Sequence, residues 1–213
     1  MTVNYINLQK VLVDLQDYKL AKLLIVTKNQ SLNDIRDLMN KGYNIFGENK
    51  VQEAKKKFHE LNDLFKINLH LIGPLQTNKV KDALQLFNTI QSVDREKLVE
   101  EISKIIKKSD KIKTSSFYIQ INIGSEDQKS GIDKFACKDF YHYTLEKDLN
   151  IEGLMCIPPN TTLNAHEYFR EMNEIRKNIN PTLKLSMGMS NDYQIALEHQ
   201  SNLIRIGSFI FHD

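Results

Sequence analysis

Short runs of Ile, Val, Leu and Phe recur along this chain, and longer amphipathic stretches separate them. Eight runs read as strands: residues 22–27, 44–47, 69–72, 89–92, 117–122, 151–155, 183–186 and 203–206. Their length and their β-branched content favour strand over buried helix. Four of the intervening stretches carry clear helical periodicity. Residues 32–40 follow Ser31, an N-cap with Asp34 three positions on. Residues 50–61 place Val51, Ala54, Phe58 and Leu61 on one side. Residues 96–106 line up Leu98, Val99, Ile102, Ile105 and Ile106. Residues 163–179 follow the start signal Pro158-Pro159-Asn160-Thr161. A further helix over residues 3–15 precedes the first strand.

Connections are short, with no linker, repeat or low-complexity segment. Eight βα units in a row predict a closed parallel barrel. The expected architecture is α/β: a single (β/α)8 TIM-type barrel with an extra N-terminal helix, one domain over residues 1–213. The alternative is a doubly wound open sheet with one strand miscounted.

Composition narrows the function. The chain has 213 residues, 29 Lys+Arg against 27 Asp+Glu, and a net charge of +2. That is no footprint for nucleic acid, which calls for a basic stripe. Many lysines sit at helical spacing beside glutamates, as in Glu53 and Lys57, and read as solvated faces. Cys137 and Cys156 form no disulfide framework and no CxxC pair, and Cys156 reads as core. The histidines lack metal-ligand spacing. No basic-then-apolar leader follows Met1, and no apolar run reaches the roughly 20 residues needed to span a bilayer. A monomeric cytoplasmic protein with no nucleic-acid, membrane or metal partner is expected.

Candidate chemistry gathers at strand ends, where such a barrel carries its working groups, with an anion site commonly after the seventh and eighth strands. The last two strands run into Ser186-Met187-Gly188-Met189-Ser190-Asn191-Asp192 and Arg205-Ile206-Gly207-Ser208. Gly188 and Gly207 admit an anion to backbone N–H groups, Ser190 and Ser208 add hydroxyls, and a helix start follows Asp192. The plainer reading is ordinary turn chemistry. Lys28 follows Leu24 and Val26 at period two, so it is expected on the inward face, where desolvation would activate its amine; alternatively it escapes to solvent. Arg205 alternates with Leu203 and is expected to meet a phosphate or a pyridine nitrogen, or else Glu48 in a salt bridge. Asn49 either caps a helix or reaches a ligand. Asn78 is a plausible helix cap. Ile72 is placed to pack against a flat ring. His70 reads as a satisfied core histidine. A phosphate cradle facing a Schiff-base lysine points to pyridoxal 5'-phosphate (PLP) as cofactor.

Several segments carry a resemblance, in order, along nearly the whole chain. They are Ile25-Val26-Thr27-Lys28, Phe46-Gly47-Glu48-Asn49-Lys50-Val51-Gln52-Glu53 and His70-Leu71-Ile72-Gly73-Pro74-Leu75-Gln76-Thr77-Asn78-Lys79. Lys129-Ser130-Gly131, Gly153-Leu154-Met155-Cys156-Ile157-Pro158, Leu185-Ser186-Met187-Gly188-Met189-Ser190 and Arg205-Ile206-Gly207-Ser208 complete the set. The chain resembles the pyridoxal-phosphate homeostasis proteins, which share their barrel with the N-terminal domain of alanine racemases. The resemblance implies a Schiff base at Lys28, phosphate contacts at Ser190, Gly207 and Ser208, and Asn49 and Arg205 near the cofactor. It departs in the lysine motif, where the family commonly has Ala-Val-Ser-Lys, and in a shorter tail. It implies a non-catalytic carrier that supplies apo-enzymes. A PLP-dependent racemase is the alternative, and it needs a second acid/base group. None of the expected strand ends carries a tyrosine, so no catalytic residue is assigned.

Overall fold

The computed structural model describes residues 3–59, 66–159 and 164–211. Among these residues the strands are β1 (Lys22–Val26), β2 (Ile45–Glu48), β3 (Asn68–Leu71), β4 (Thr89–Val93), β5 (Ser116–Asn122), β6 (Ile132–Asp133), β7 (Ile151–Cys156), β8 (Lys184–Ser186) and β9 (Leu203–Ile206). The helices are α1 (Tyr5–Leu15), α2 (Leu32–Asn40), α3 (Val51–His59), α4 (Val80–Leu86), α5 (Glu96–Ile106), α6 (Cys137–Glu146), α7 (Ala165–Ile179), α8 (Tyr193–Glu198) and α9 (Ser208–Phe211).

The strands pair in the order β4-β3-β2-β1-β9-β8-β7-β5, and β4 also pairs with β5. Every one of those pairings is parallel, and the β4–β5 ladder closes the sheet into an eight-stranded barrel. The expected barrel is therefore found, and the open-sheet alternative fails at that ladder. All eight barrel strands lie within one residue of their expected bounds. The two-residue β6 was not foreseen. It pairs with the end of β5 outside the barrel order.

α2 starts with the expected capping box, Ser31 and Asp34 each bonding the other's backbone. α5 matches its expected bounds. The expected helix 50–61 is seen as α3, and its last two residues lie outside the described set, as does Leu163 of the expected helix 163–179. Asn78 does not cap: it lies within a 3-10 turn (Thr77–Lys79), and neither that turn nor α4 has a side-chain cap.

Two cores follow from strand alternation. Outward residues such as Ile25, Phe46, Leu71, Ile90, Ile119 and Leu154 pack against the helices in one large cluster. Inward residues Leu24, Val26, Ile72 and Leu203 form a separate apolar cluster inside the barrel. Much of the rest of the interior is polar. His70, Thr89, Gln91, Ser116, Gln120, Ser186 and Arg205 are all buried. This departs from the branched apolar layers that commonly fill such a barrel. The N-terminal helix docks through Asn4, whose N–H donates to the Ile210 carbonyl at 2.8 Å. Tyr193 also donates to Asp14, at 2.7 Å.

Candidate functional site

A cavity of about 660 Å³ opens at the C-terminal ends of the barrel strands. Its wall is built almost wholly from residues that follow a strand. Lys28 follows β1, Asn49 follows β2, Ile72 to Pro74 follow β3, Ile157 to Pro159 follow β7, Met189 to Asp192 follow β8, and Gly207 and Ser208 follow β9. All seven residues singled out from the sequence, Lys28, Asn49, Ile72, Ser190, Arg205, Gly207 and Ser208, line this one cavity.

The two closing loops meet. Ser208 Oγ donates to Ser190 Oγ at 3.1 Å, and Phe209 N–H points to the same oxygen at 3.3 Å. A Cβ on Gly207 would lie 3.1 Å from Val26 Cβ and 3.2 Å from the Val26 carbonyl, so the backbone there is tightly seated against β1. Gly188 plays a different part from the one expected. It does not line the cavity. Its φ of +93° and the Ala196 Cβ 2.6 Å from a built Cβ demand glycine so that α8 can pack. Its carbonyl accepts from Arg205 N–H at 2.9 Å. Asp192 is held over the cavity by the Met189 N–H, which donates to its carboxylate at 2.6 Å. Burial pushes the Asp192 carboxyl above its usual range, against the opposing pull of that N–H and of the Arg205 guanidinium.

Arg205 is 3% exposed. It donates to the Ser186 carbonyl at 2.6 Å, to Ser186 Oγ at 2.9 Å and to the Cys156 carbonyl at 2.8 Å. No carboxylate lies within ion-pair distance of it among the described residues. The anticipated partner, Glu48, points the other way. It sits outside the barrel under α3, where it accepts from Lys57 Nζ and Thr27 Oγ1, each at 2.7 Å. Lys57 Nζ also donates to the Thr27 carbonyl at 2.6 Å. Lys57 is thus no solvated partner of Glu53, which pairs with Lys50 at 2.7 Å instead. Desolvation drives the Arg205 pKa down, yet a guanidinium remains charged. A buried cation held by neutral oxygens still favours an anion or a strong acceptor nearby.

Lys28 is exposed, so of its two readings the escape to solvent at the strand end is the one found. β1 ends two residues before it, so the inward face carries it to the mouth and leaves its amine in solvent. It makes no ion pair among the described residues. Asn49 has no side-chain hydrogen bond there either, and the Lys50 carbonyl accepts the first bond of α3 at 3.0 Å, so Asn49 is not the cap. Gly73 explains its placement: a Cβ there would fall 2.2 Å from the Asn49 carbonyl oxygen. His70 is half satisfied. Its Nδ1 meets Gln91 at 2.7 Å, and its Nε2 has no partner. Burial pulls its pKa down to about 4. Cys156 is core, as expected, with its thiol pushed up to about 12 by burial.

Sequence reasoning missed one wall. Residues 123–131 fold back on β5, where a Cβ on Gly131 (φ +128°) would lie 2.5 Å from Asn122 N. Gln120 donates to the Ser130 carbonyl at 3.1 Å, and Lys129 donates to the Pro158 carbonyl at 3.3 Å and pairs with Glu126. The Lys129-Ser130-Gly131 segment was the available signal.

Fold and mouth define a (β/α)8 barrel protein with a lysine-, serine- and glycine-lined cavity at the strand ends. No family profile matches the sequence. Curated relatives do. A pyridoxal phosphate homeostasis protein of Aquifex aeolicus is 38% identical over 199 residues, 90% of this chain and 86% of that protein. One from Helicobacter pylori is 34% identical over 202 residues, 92% and 89% of the two chains. The chain belongs to the pyridoxal phosphate homeostasis protein family. Among solved structures, PipY of Synechococcus elongatus without PLP superposes with a TM-score of 0.84 at 30% identity, covering 94% of this chain and 98% of that one. PipY with PLP bound gives 0.80 at 29%, covering 93% and 98%. An alanine racemase of Clostridium difficile shares the fold, with a TM-score of 0.74 at 13% identity, over all of this chain and 58% of its own.

Proposed function

We propose that this chain binds pyridoxal 5'-phosphate at the barrel mouth, holds it as a Schiff base on Lys28, and serves intracellular PLP homeostasis by keeping the cofactor and supplying it to apo-enzymes. The observation that carries this reading is the convergence of an unpaired lysine, a serine–glycine cradle and a buried arginine on one cavity. The membership of the chain in its family and the PLP-bound PipY structure support it.

The residues fit the group. Ser190, Gly207 and Ser208 meet at one wall of the cavity, where a Cβ on Gly207 would press on Val26, and they are assigned to the phosphate. Ile72 offers an apolar surface to one ring face. Arg205 is assigned to the ring nitrogen, where a permanent donor keeps that nitrogen unprotonated. Asn49 lies beside the ring. When bound, PLP supplies an electrophilic aldehyde. Lys28, standing free at the mouth, is assigned as the amine that condenses with it and releases one water.

The reading is of a carrier more than an enzyme. A racemase needs a second base opposite the lysine. The tyrosine of β5, Tyr118, is buried and lies two residues below Gln120, the residue of that strand that reaches the cavity.

The test is absorbance of the purified protein with PLP, then borohydride reduction and peptide mapping. A band near the visible edge should vanish on reduction, and the pyridoxyl mass should fall on the peptide containing Lys28. A label on Lys50 or Lys79 instead would overturn the assignment.

A further inference from the structure

A chain of buried polar groups crosses the barrel interior from β9 to β3. It begins at Arg205, which donates to Ser186 Oγ at 2.9 Å. A guanidinium has no acceptor, so the Ser186 oxygen must accept there. Its own proton is then directed to Gln91 Oε1, 2.6 Å away across the barrel. With its oxygen so engaged, Gln91 turns its NH2 toward His70 Nδ1 at 2.7 Å. His70 Nδ1 therefore accepts, and the ring is neutral with its proton on Nε2. The opposite amide orientation would make Ser186 accept from both neighbours and leave its own proton unplaced. Every donor in the relay thus points one way, from Arg205 to His70. The four side chains come from four strands and are each 5% exposed or less.

Filling a barrel does not require this. Branched apolar side chains fill such interiors well, and buried polar groups add little net stability even when satisfied. The relay does act on one group that reaches the cavity. Arg205 carries four rotatable bonds, and three of its five N–H donors are tied to Ser186 and Cys156. Two donors remain, and Arg205 lines the mouth cavity.

We propose that Ser186, Gln91 and His70 are positioning residues that aim the Arg205 guanidinium at the ligand's ring acceptor through this one-way hydrogen-bond relay. Ser186 acts directly on Arg205. Gln91 fixes the Ser186 hydroxyl, and His70 fixes the Gln91 amide. The proposal rests on the PLP reading for its functional consequence, but the relay itself is a property of the ligand-free protein.

Two arms separate those parts. In the first, ligand-free 15N-labelled parent, Gln91→Leu, Ser186→Ala and Ser186→Thr proteins are compared by NMR, with the Arg205 signals assigned by their loss in Arg205→Lys. The parent should show slowly exchanging Arg205 side-chain protons and a neutral His70 ring protonated on Nε2. Gln91→Leu and Ser186→Ala should speed that exchange about tenfold or more, the scale of one charge-assisted hydrogen bond. Ser186→Thr, which keeps the hydroxyl, should restore it. In the second arm PLP is added. The two relay-breaking variants should retain PLP about tenfold less well and show a displaced absorbance maximum, while borohydride still labels Lys28. Parent-like Arg205 exchange in both variants, failure of Ser186→Thr to rescue, or parent-like retention and spectrum would each overturn the proposal. A parent that takes up no PLP would sink the functional reading instead, and the first arm would still decide the relay. If Gln91→Leu fails to fold, the Ser186 pair decides.

Discussion

The lack of a side chain on Gly207 lets the loop after β9 seat against β1, because any Cβ would crowd Val26 on the neighbouring strand. Replacing Gly207 with Val should weaken PLP retention about 10–100-fold, the equivalent of one charge-assisted hydrogen bond of about 1.5–3 kcal/mol. It should also cost about 1–3 kcal/mol of stability through overpacking. Equilibrium dialysis and chemical denaturation measure the two effects. His70 sets a pH dependence. Its folded pKa of about 4 lies below the ordinary 6.5. Below pH 6.5 the unfolded chain takes up a proton that the folded protein refuses, so stability falls with pH, by about 3 kcal/mol in full once pH reaches 4. Denaturation midpoints across that window should flatten in His70→Asn; an unchanged slope would refute the assignment. Gly207, Lys28 and Arg205 were legible as residues of the mouth because glycine, a strand-end lysine and an inward arginine are each anomalous where they stand. The half-satisfied state of His70 was not legible, since its partner Gln91 lies on the next strand.

The charge pair between β2 and α3 shows what an element adds. Lys57 has 14% side-chain exposure, Glu48 has none, and they meet at 2.7 Å. Together they clamp the Thr27 hydroxyl and carbonyl, just before Lys28. Lys57→Met leaves an uncompensated buried carboxylate and should destabilise the fold by about 3–5 kcal/mol. Adding Glu48→Gln should recover much of that loss in urea denaturation, and a double variant as unstable as the single would contradict the pairing. Helical spacing had matched Lys57 to Glu53. That pattern describes one helix alone and cannot register a carboxylate on the strand beneath it. α4 and α6 received no bounds from the sequence for a related reason. α4 has seven residues, and α6 is rich in aromatic side chains of modest helix propensity, so packing on the barrel stabilises both.

For the whole molecule, ligand linkage follows from a site built on seven of the eight barrel strands. PLP at a hundred times its dissociation constant should raise stability by about 2.7 kcal/mol. The thermal midpoint should rise accordingly in the parent and less in Lys28→Ala. An equal rise in both would remove the covalent link from the account. The holo-protein incubated with L-amino acids should show no sustained racemase, decarboxylase or transaminase turnover above free PLP, since general acid–base assistance worth about 10²–10⁴-fold has no assigned residue. Turnover abolished by Lys28→Ala would promote the enzyme alternative. Among the described residues, no helix is long and apolar enough to cross a membrane. The sequence alone determined the eight strands, the order of strand and helix, and which residues reach the mouth, because alternation and periodicity are local. Only the tertiary structure decided the β4–β5 closure, the solvent exposure of Lys28, the turning of Glu48 away from Arg205, and the relay from Arg205 to His70. Each of these depends on distance between residues far apart in the chain, and periodicity holds no record of that distance.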